Sequence, residues 1–340
     1  MSTISVRDVA ALAGVSVGTV SNVLNRPDKV SEGTVRRVQD AIDSLGFIRN
    51  DAARQLRAGR SHSFGLIVLD AGNPFFSDLA RGAEDRAAEE GLSVLLGNSG
   101  DDLDREAAYI DLFEQQRVSG VLLSPIGDRV GRLERLRSRG IAAVLVDRAV
   151  DGSAFSSVSV DDVAGGRIAA THLLDIGRRR LAFVGGPSTT AQVADRLDGA
   201  QDAVGRVTGA TLEILPTAAL TVLEGRSAGE AIAARPRSDR PDAIFCANDL
   251  VAVGVLQGLG ILGGVEVPGE IALIGYDDIA FAQATVVPLS SVRQPAELIG
   301  RTGLELLLAE SVEGWAGEPQ RVVYQPELVV RGSTVSDAGR

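Results

Sequence analysis

From Phe64 onward, short apolar runs alternate with segments whose apolar residues recur every three or four positions. FGLIVL at 64–69 is followed by a helical pattern over 76–90, LSVLLG at 92–97 by one over 103–116, and GVLLSP at 120–125 by one over 129–139; IAAVLVD closes the series at 141–147. After Asp161 the alternation starts again. A helix to Gly177 precedes LAFVGG, a helix to about Val204 precedes LEILP, a helix to about Ala234 precedes AIFCAND, and a helix to Leu262 precedes IALIGYDD. Strand-length runs alternating with helices predict βαβ units around parallel sheets, here two doubly wound lobes of similar size.

The first sixty residues follow a different pattern. Ser5 and Asp8 have the spacing of a capping box, with Val9, Leu12 and Ala13 at helical intervals behind them. Gly14 suits a left-handed stop, and Ser16 can cap a second helix running to about Leu24. Ser31 opens a third helix, whose stripe of Val35, Val38, Ile42 and Leu45 ends at Gly46. Three short helices, the first two joined by a tight glycine-containing turn, predict a helix-turn-helix module.

Charge supports that division. The 340 residues carry a net charge of −11, yet the first sixty hold nine basic and six acidic residues, which leaves −14 on the remaining 280. A small basic module on an acidic body is the distribution expected when one end meets nucleic acid. One cysteine and two histidines exclude a disulfide framework and a cysteine-based metal cluster, so no cofactor is expected. No apolar run reaches the ~18 residues of a membrane span, and the N-terminus lacks the apolar core of a secretory signal; a cytoplasmic protein without membrane contact is expected.

The second helix of such a module lies in the major groove with its N-terminal residues toward base edges. Gly18 and Ser21 permit close approach, Asn22 can offer an amide to adenine, Ser16, Thr19 and Ser21 suit phosphates, and Val17 can touch a thymine methyl. The run SVRDVAALAGVSVGTVSNVLNRPDKVSEGTVRRVQDAIDSLGFIRNDAARQLRAGRS resembles the headpiece and hinge of the LacI/GalR family of bacterial transcription regulators. The order of its parts carries the likeness: the helix pair, VSEGT, LGF, then NDAARQLR. The resemblance implies base reading by Val17, Gly18 and Asn22, although the family more often has Arg or His where Asn22 stands. It also implies a hinge helix near 50–58 that folds over the operator, with Leu56 wedged into the minor groove. The full DNA-facing set is then Ser16, Val17, Gly18, Thr19, Ser21, Asn22, Asn25, Asn50 and Leu56.

For the body, the resemblance implies a periplasmic-binding-protein-like fold with a ligand cleft between two lobes. The expected organisation is a headpiece over 1–49, hinge and linker over 50–61, and an effector and dimerisation body over 62–340. Lobe one covers about 62–160 and 290–320, lobe two about 161–289 and 321–332, and a polar tail 333–340. That tail lacks leucine heptads, so a homodimer is expected.

Ligands of open parallel sheets bind beyond the carboxyl ends of strands. The residues there are NPFF at 73–76, Ser124, Asp147 with Arg148, Gln192 to Arg196, Asn248 with Asp249, and Asp277 with Asp278. Carboxylates, amides and a guanidinium beside aromatic faces suit a sugar, whose hydroxyls both donate and accept. By resemblance Phe75 and Phe76 form the aromatic wall and Arg196, Asn248 and Asp277 match the family's main effector contacts, with Asp147 a further candidate; Ser124 and Gln192 from the strand ends complete the expected effector set, and Asp278 is expected to be structural. Gln192 stands where relatives often carry serine. The function implied is that of an operator-binding repressor controlled by a small sugar-like effector, more often induced than corepressed.

Two enzyme-like patterns fail on context. GLGILG at 258–263 follows a helix and precedes a strand, the reverse of a dinucleotide loop. GRSAG at 225–229 lies inside a helical pattern, with no histidine after it to complete a hydrolase triad. A transporter-coupled solute-binding protein and an enzyme on the same scaffold are the alternatives; neither explains the helix-turn-helix.

Overall fold

A computed structural model describes residues 4–47, 61–127, 131–150, 152, 154–312, 315 and 317–335. The chain divides into two units, residues 1–60 and 61–340.

The first unit has three helices, α1 (Val6–Ala13), α2 (Val17–Asn25) and α3 (Glu32–Leu45). Asp8 accepts from the Ser5 amide and hydroxyl, both at 2.8 Å, and the amide bond holds its carboxyl below the usual range. Gly14 and Gly46 end α1 and α3 in the left-handed conformation, at φ 64° and 61°. Ser16 caps α2 by accepting from the Thr19 amide at 3.0 Å. Val9, Val20, Val23, Val38 and Phe47 form the buried core. A 3-10 turn over Pro27–Lys29, which periodicity does not predict, links α2 to α3.

In the second unit β1 (Ser63–Val68), α4 (Pro74–Glu89), β2 (Ser93–Asn98), α5 (Leu103–Gln115), β3 (Gly120–Leu123), α6 (Gly131–Ser138), β4 (Ala142–Asp147) and β5 (Ser156–Val160) build the first lobe. The second contains α7 (Asp162–Asp175), β6 (Arg180–Val184), α8 (Ala191–Gly205), β7 (Thr211–Leu215), α9 (Val222–Ala233), β8 (Ala243–Cys246), α10 (Asp249–Leu256), β9 (Ala272–Asp277) and β10 (Ser290–Arg293). The chain then returns through α11 (Ala296–Glu310) and β11 (Arg321–Tyr324) to the first lobe, and ends with β12 (Glu327–Val329) in the second. The sheet orders are β11-β5-β4-β3-β1-β2 and β12-β10-β9-β8-β6-β7, parallel throughout except that β12 runs antiparallel to β10.

Each sheet therefore repeats one winding, with its order reversing between the first and third strands of the lobe. That reversal opens the crevice in which α/β proteins bind ligands.

The lobe boundaries expected near 290 and 321 fall one strand later. β10 pairs with β9 and β11 with β5, so the crossings lie at Gln294-Pro295 and Gln325-Pro326. Proline cannot donate to a strand ladder, so each strand stops before it. SSVR of β10 and SSVSV of β5 also escape an apolar-run reading because serines fill their buried positions. Their hydroxyls find partners: Ser156 Oγ accepts from the Gln320 amide at 2.8 Å, and Ser291 Oγ donates to Asp249 at 2.7 Å. Two residues expected in the polar tail belong to the body instead. Ser333 and Thr334 are buried, with Ser333 Oγ donating to the Leu273 carbonyl at 2.6 Å. GLGILG lies in a π-helical extension of α10 and GRSAG within α9, neither at a strand-to-helix turn.

Glycines set how closely the helices approach. A Cβ on Gly166 of α7 would lie 1.9 Å from the Arg196 carbonyl oxygen, and one on Gly199 of α8 would lie 2.0 Å from that of Val163. The first lobe repeats the device between α4 and α11 at Gly82 and Gly300. Because Gly166 abuts Arg196, Gly166→Val should push α8 away from α7 and destabilise the body by about 1–3 kcal/mol, the usual range for overpacking. Thermal denaturation checks this; a variant that melts with the parent would show that the two helices have room to spare.

Candidate functional site

A cavity of about 360 Å³ lies between the lobes of the body. From the first lobe, the end of β1 supplies Leu69 and Asp70, and the start of α4 supplies Asn73, Phe75 and Phe76. Asn73 caps α4 by accepting from the Phe75 amide at 3.1 Å, and Pro74 pre-sets the first helical turn. The two phenyl rings meet edge to face with centroids 5.0 Å apart. Asp101, from the turn after β2, and Asp147, at the end of β4, complete this side. The second lobe contributes Thr190, Gln192, Arg196, Leu220, Thr221, Asn248 and Asp277.

Arg196 is anchored within its own lobe. Its Nε donates to Asp162 at 2.8 Å, its Nη1 donates to the Ala247 carbonyl at 2.7 Å, and its guanidinium lies 3.8 Å from the Tyr276 ring centroid. Nη1 also stands 3.9 Å from Asp277. Asp147 and Asp277 occupy corresponding places, each ending the fourth strand of its lobe, at φ 68° and 104°. A non-glycine residue at positive φ is strained, and such strain gathers at functional sites.

Each of these aspartates accepts an amide from the opposite lobe. Asn73 Nδ2 donates to Asp277 Oδ2 at 3.0 Å, and Gln192 Nε2 donates to Asp147 Oδ2 at 2.6 Å. Both amides stand at the start of the helix that follows the first strand of their lobes, so the two bonds are related by the internal symmetry of the fold. Gln294, at the crossing between lobes, gives Asp277 a further donor at 2.8 Å.

Burial dominates the electrostatics. It raises the Asp147 carboxyl to about 7, reinforced by the charge of Asp162 and opposed by Arg196 and by hydrogen bonds from Ser124 and Gln192. Asp277 is also raised by burial, against the pull of Arg196, Asn73 and Gln294.

Seven expected effector residues line the cavity: Phe75, Phe76, Asp147, Gln192, Arg196, Asn248 and Asp277. Ser124 does not. It is buried behind Asp147 and donates to it at 3.0 Å, so it orients a cavity residue without facing the cavity. Asn248 both lines the site and caps α10 through the Val251 amide at 2.9 Å. Asp278 is structural, accepting from Arg293 at 2.8 Å and Arg331 at 2.6 Å. Leu69, Asp70, Asn73, Asp101, Thr190, Leu220 and Thr221 were missing from the expected set. Asp70 and Asp101 follow β1 and β2 closely, so the strand-end rule applied to every strand finds them. Asp162, the partner of Arg196, follows β5, the strand whose serines hid it.

In the headpiece, Ser16, Val17, Gly18 and Asn22 are exposed and Thr19 and Ser21 half-buried. A Cβ on Gly18 would meet nothing closer than Ser16 Oγ at 3.6 Å, so the headpiece fold itself does not require glycine there. Asn50, Leu56 and the Asn25 side chain lie outside the described residues.

Residues 5–50 match the family described as bacterial regulatory proteins, lacI family, and residues 170–334 a periplasmic binding protein-like domain. The chain is 34% identical over 305 residues to the ribose operon repressor of Bacillus subtilis (strain 168), covering 89% of this chain and 90% of that protein. The chain belongs to the LacI family.

It is also 31% identical over 338 residues to the HTH-type transcriptional repressor PurR of Vibrio campbellii, covering 97% and 98% of the two chains. Among solved structures it resembles the Lac repressor dimer bound to operator and the anti-inducer ONPF, at TM-score 0.82 and 25% identity over 98% of this chain and all of that one. A second is a LacI family transcriptional regulator from Enterococcus faecium with bound ribose, at TM-score 0.72 and 25% identity over 80% of this chain and 98% of that one. As a LacI family member the protein is a DNA-binding transcription regulator and not an enzyme. Among the described residues no helix is long and apolar enough to cross a membrane.

The raised Asp147 carboxyl predicts a pH dependence. Its folded form binds a proton more tightly than the unfolded chain does, so its contribution to stability is complete below the ordinary carboxylate range and is lost as pH rises through about 7. The body should melt at a higher temperature near pH 5 than near pH 8.5. Asp147→Asn should flatten that slope by an amount on the order of a few kcal/mol; an unchanged slope in the variant would exclude Asp147 as its source.

Proposed function

We propose that the protein is a cytoplasmic homodimeric repressor whose grip on its operator is released by an uncharged sugar bound between the lobes. The observation that carries the sugar reading is the charge and shape of the cavity. Asp70, Asp101, Asp147 and Asp277 face it against one guanidinium that is already paired, beside two aromatic rings. Hydroxyls can donate to all four carboxyl groups, whereas a phosphate or carboxylate ligand meets four acids against one guanidinium already paired with Asp162. The ribose-bound neighbour has the same lobed fold and favours the same reading.

The headpiece supplies the DNA half of the mechanism. The exposed N-terminal end of α2 suits a major groove, with Asn22 reading a base and Ser16 and Thr19 holding phosphates. Dimerisation is favoured by apolar side chains on both sheet edges. Leu95 and Leu96 are exposed on β2 and Ile214 on β7, and Leu223, Phe281 and Val286 are exposed elsewhere in the second lobe. Unpaired apolar edges favour burial against a second copy. Closure around the ligand then changes the relative placement of the lobes, and release follows if the closed form disfavours the operator-bound arrangement.

A thermal-shift screen against sugars, their phosphates and purines tests the effector class, since a ligand bound by the native state raises the melting temperature. The expected hit is a free sugar that lowers operator affinity; a purine hit, or a hit that tightens operator binding, would replace this reading with purine control or corepression. Sugar hydroxyls that donate to Asp147 favour its ionised form, so affinity should rise as pH passes upward through about 7. Asn22→Ala should cost about 1–3 kcal/mol at the operator and relax base choice at one position. Equal weakening on random DNA would remove its base-reading role.

A further inference from the structure

The cleft contains more than the effector cavity. A second cavity, about 520 Å³, extends past the end of β4 toward β5 and β11. Its wall is polar, with Glu134, Arg148, Ser159, Asp162, Asp195 and Arg321. A third, about 370 Å³, opens beside Pro125, Ile126 and Thr189.

The effector cavity and the outer polar cavity share two lining residues among those described, Asp147 and Gln192. These are the residues joined across the lobes at 2.6 Å. Gln192 is also the one described residue that lines all three cavities. The hydrogen-bonded pair therefore stands where the two cavities meet, with an apolar and carboxylate chamber on one side and a larger polar chamber on the other.

We infer that Gln192, held against Asp147, sets the length of the effector, confining it to a single ring in the inner chamber and excluding a second ring from the outer one. This rests on the reading of the cleft as an effector site. At about 360 Å³ the inner chamber stands near the lower end of small-molecule sites, which span about 300–1,000 Å³. Joined to the outer chamber it more than doubles. Rotating the Gln192 side chain aside would leave Asp147 deprived of a donor in a buried place, so the closed partition is the favoured state. A side chain too short to reach Asp147 removes the wall outright. The hydroxyls of a second sugar ring would then meet Ser159, Glu134 and Asp195.

The test is titration calorimetry of the full-length protein with matched ligands: glucose with cellobiose and maltose, xylose with xylobiose, and ribose and hypoxanthine each with inosine. The parent should prefer the smaller member of each pair by about tenfold or more. Gln192→Ala should narrow or reverse that preference by about tenfold, with Gln192→Asn as the substitute if the alanine protein fails to fold. Asp147→Asn keeps the length of the wall and its hydrogen bond, so it should weaken both members and leave their ratio in place. A parent that binds the larger member equally well, an unchanged ratio in Gln192→Ala, or an equal ratio change in Asp147→Asn would each overturn the inference. If hypoxanthine alone binds, the sugar reading fails while inosine still tests the partition. If no pair binds, the crystal structure of Gln192→Ala decides: one continuous cavity supports the partition, and two separate chambers reject it.

Discussion

The site depends on one buried guanidinium. Arg196 is enclosed by Asp162, the Ala247 carbonyl, the Tyr276 ring and, at longer range, Asp277. Buried charges are costly unless they are paired and hydrogen-bonded, and removing one partner of such a set is far worse than never having built it. Two acids accumulate at this end of the second lobe, and Arg196 is the cation that keeps them compatible. It also ties α8 to the ends of β8 and β9, so the wall that faces a ligand is stiff before any ligand arrives.

Between the lobes the interactions are lighter. The aspartate ending the fourth strand of each lobe accepts from an amide at the start of the helix that follows the first strand of the other. Neither amide carries charge, so opening the cleft breaks two hydrogen bonds, each between a neutral amide and a carboxyl group. That is a suitable scale for a switch: strong enough to define a closed form, weak enough for a small molecule to compete. The same symmetry explains why two carboxylates in unlike surroundings are both raised by burial.

Much of this was legible from the chain. Apolar runs located most strands, capping residues located α1 to α3, and the rule that ligands sit beyond strand ends drew in seven residues that line the cavity. What escaped had a common cause: β5 and β10 bury serines whose hydroxyls are satisfied by distant partners, and no local pattern distinguishes a satisfied buried serine from a solvated one. With β5 unread, Asp162 lost its setting; with β10 unread, the crossing shifted to the wrong side of a strand. The roles of Ser124 behind Asp147 and of Asn73 opposite Asp277 depend on contacts 23 and 204 positions apart in the chain, which only the folded arrangement brings together.

The triple crossing between lobes also imposes an order on how the molecule is made. The headpiece core is complete at Phe47. The first sheet begins at Ser63 yet waits for β11 at Arg321–Tyr324, and its core waits for Leu304 and Leu307 of α11. The second sheet closes with β12 at Glu327–Val329. During synthesis from the N-terminus, the DNA-reading helices can therefore fold long before either sensing lobe is finished. A nascent or truncated chain would present a folded headpiece on an unfinished body, and the cleft between the lobes comes into being only once β11 and β12 have been made.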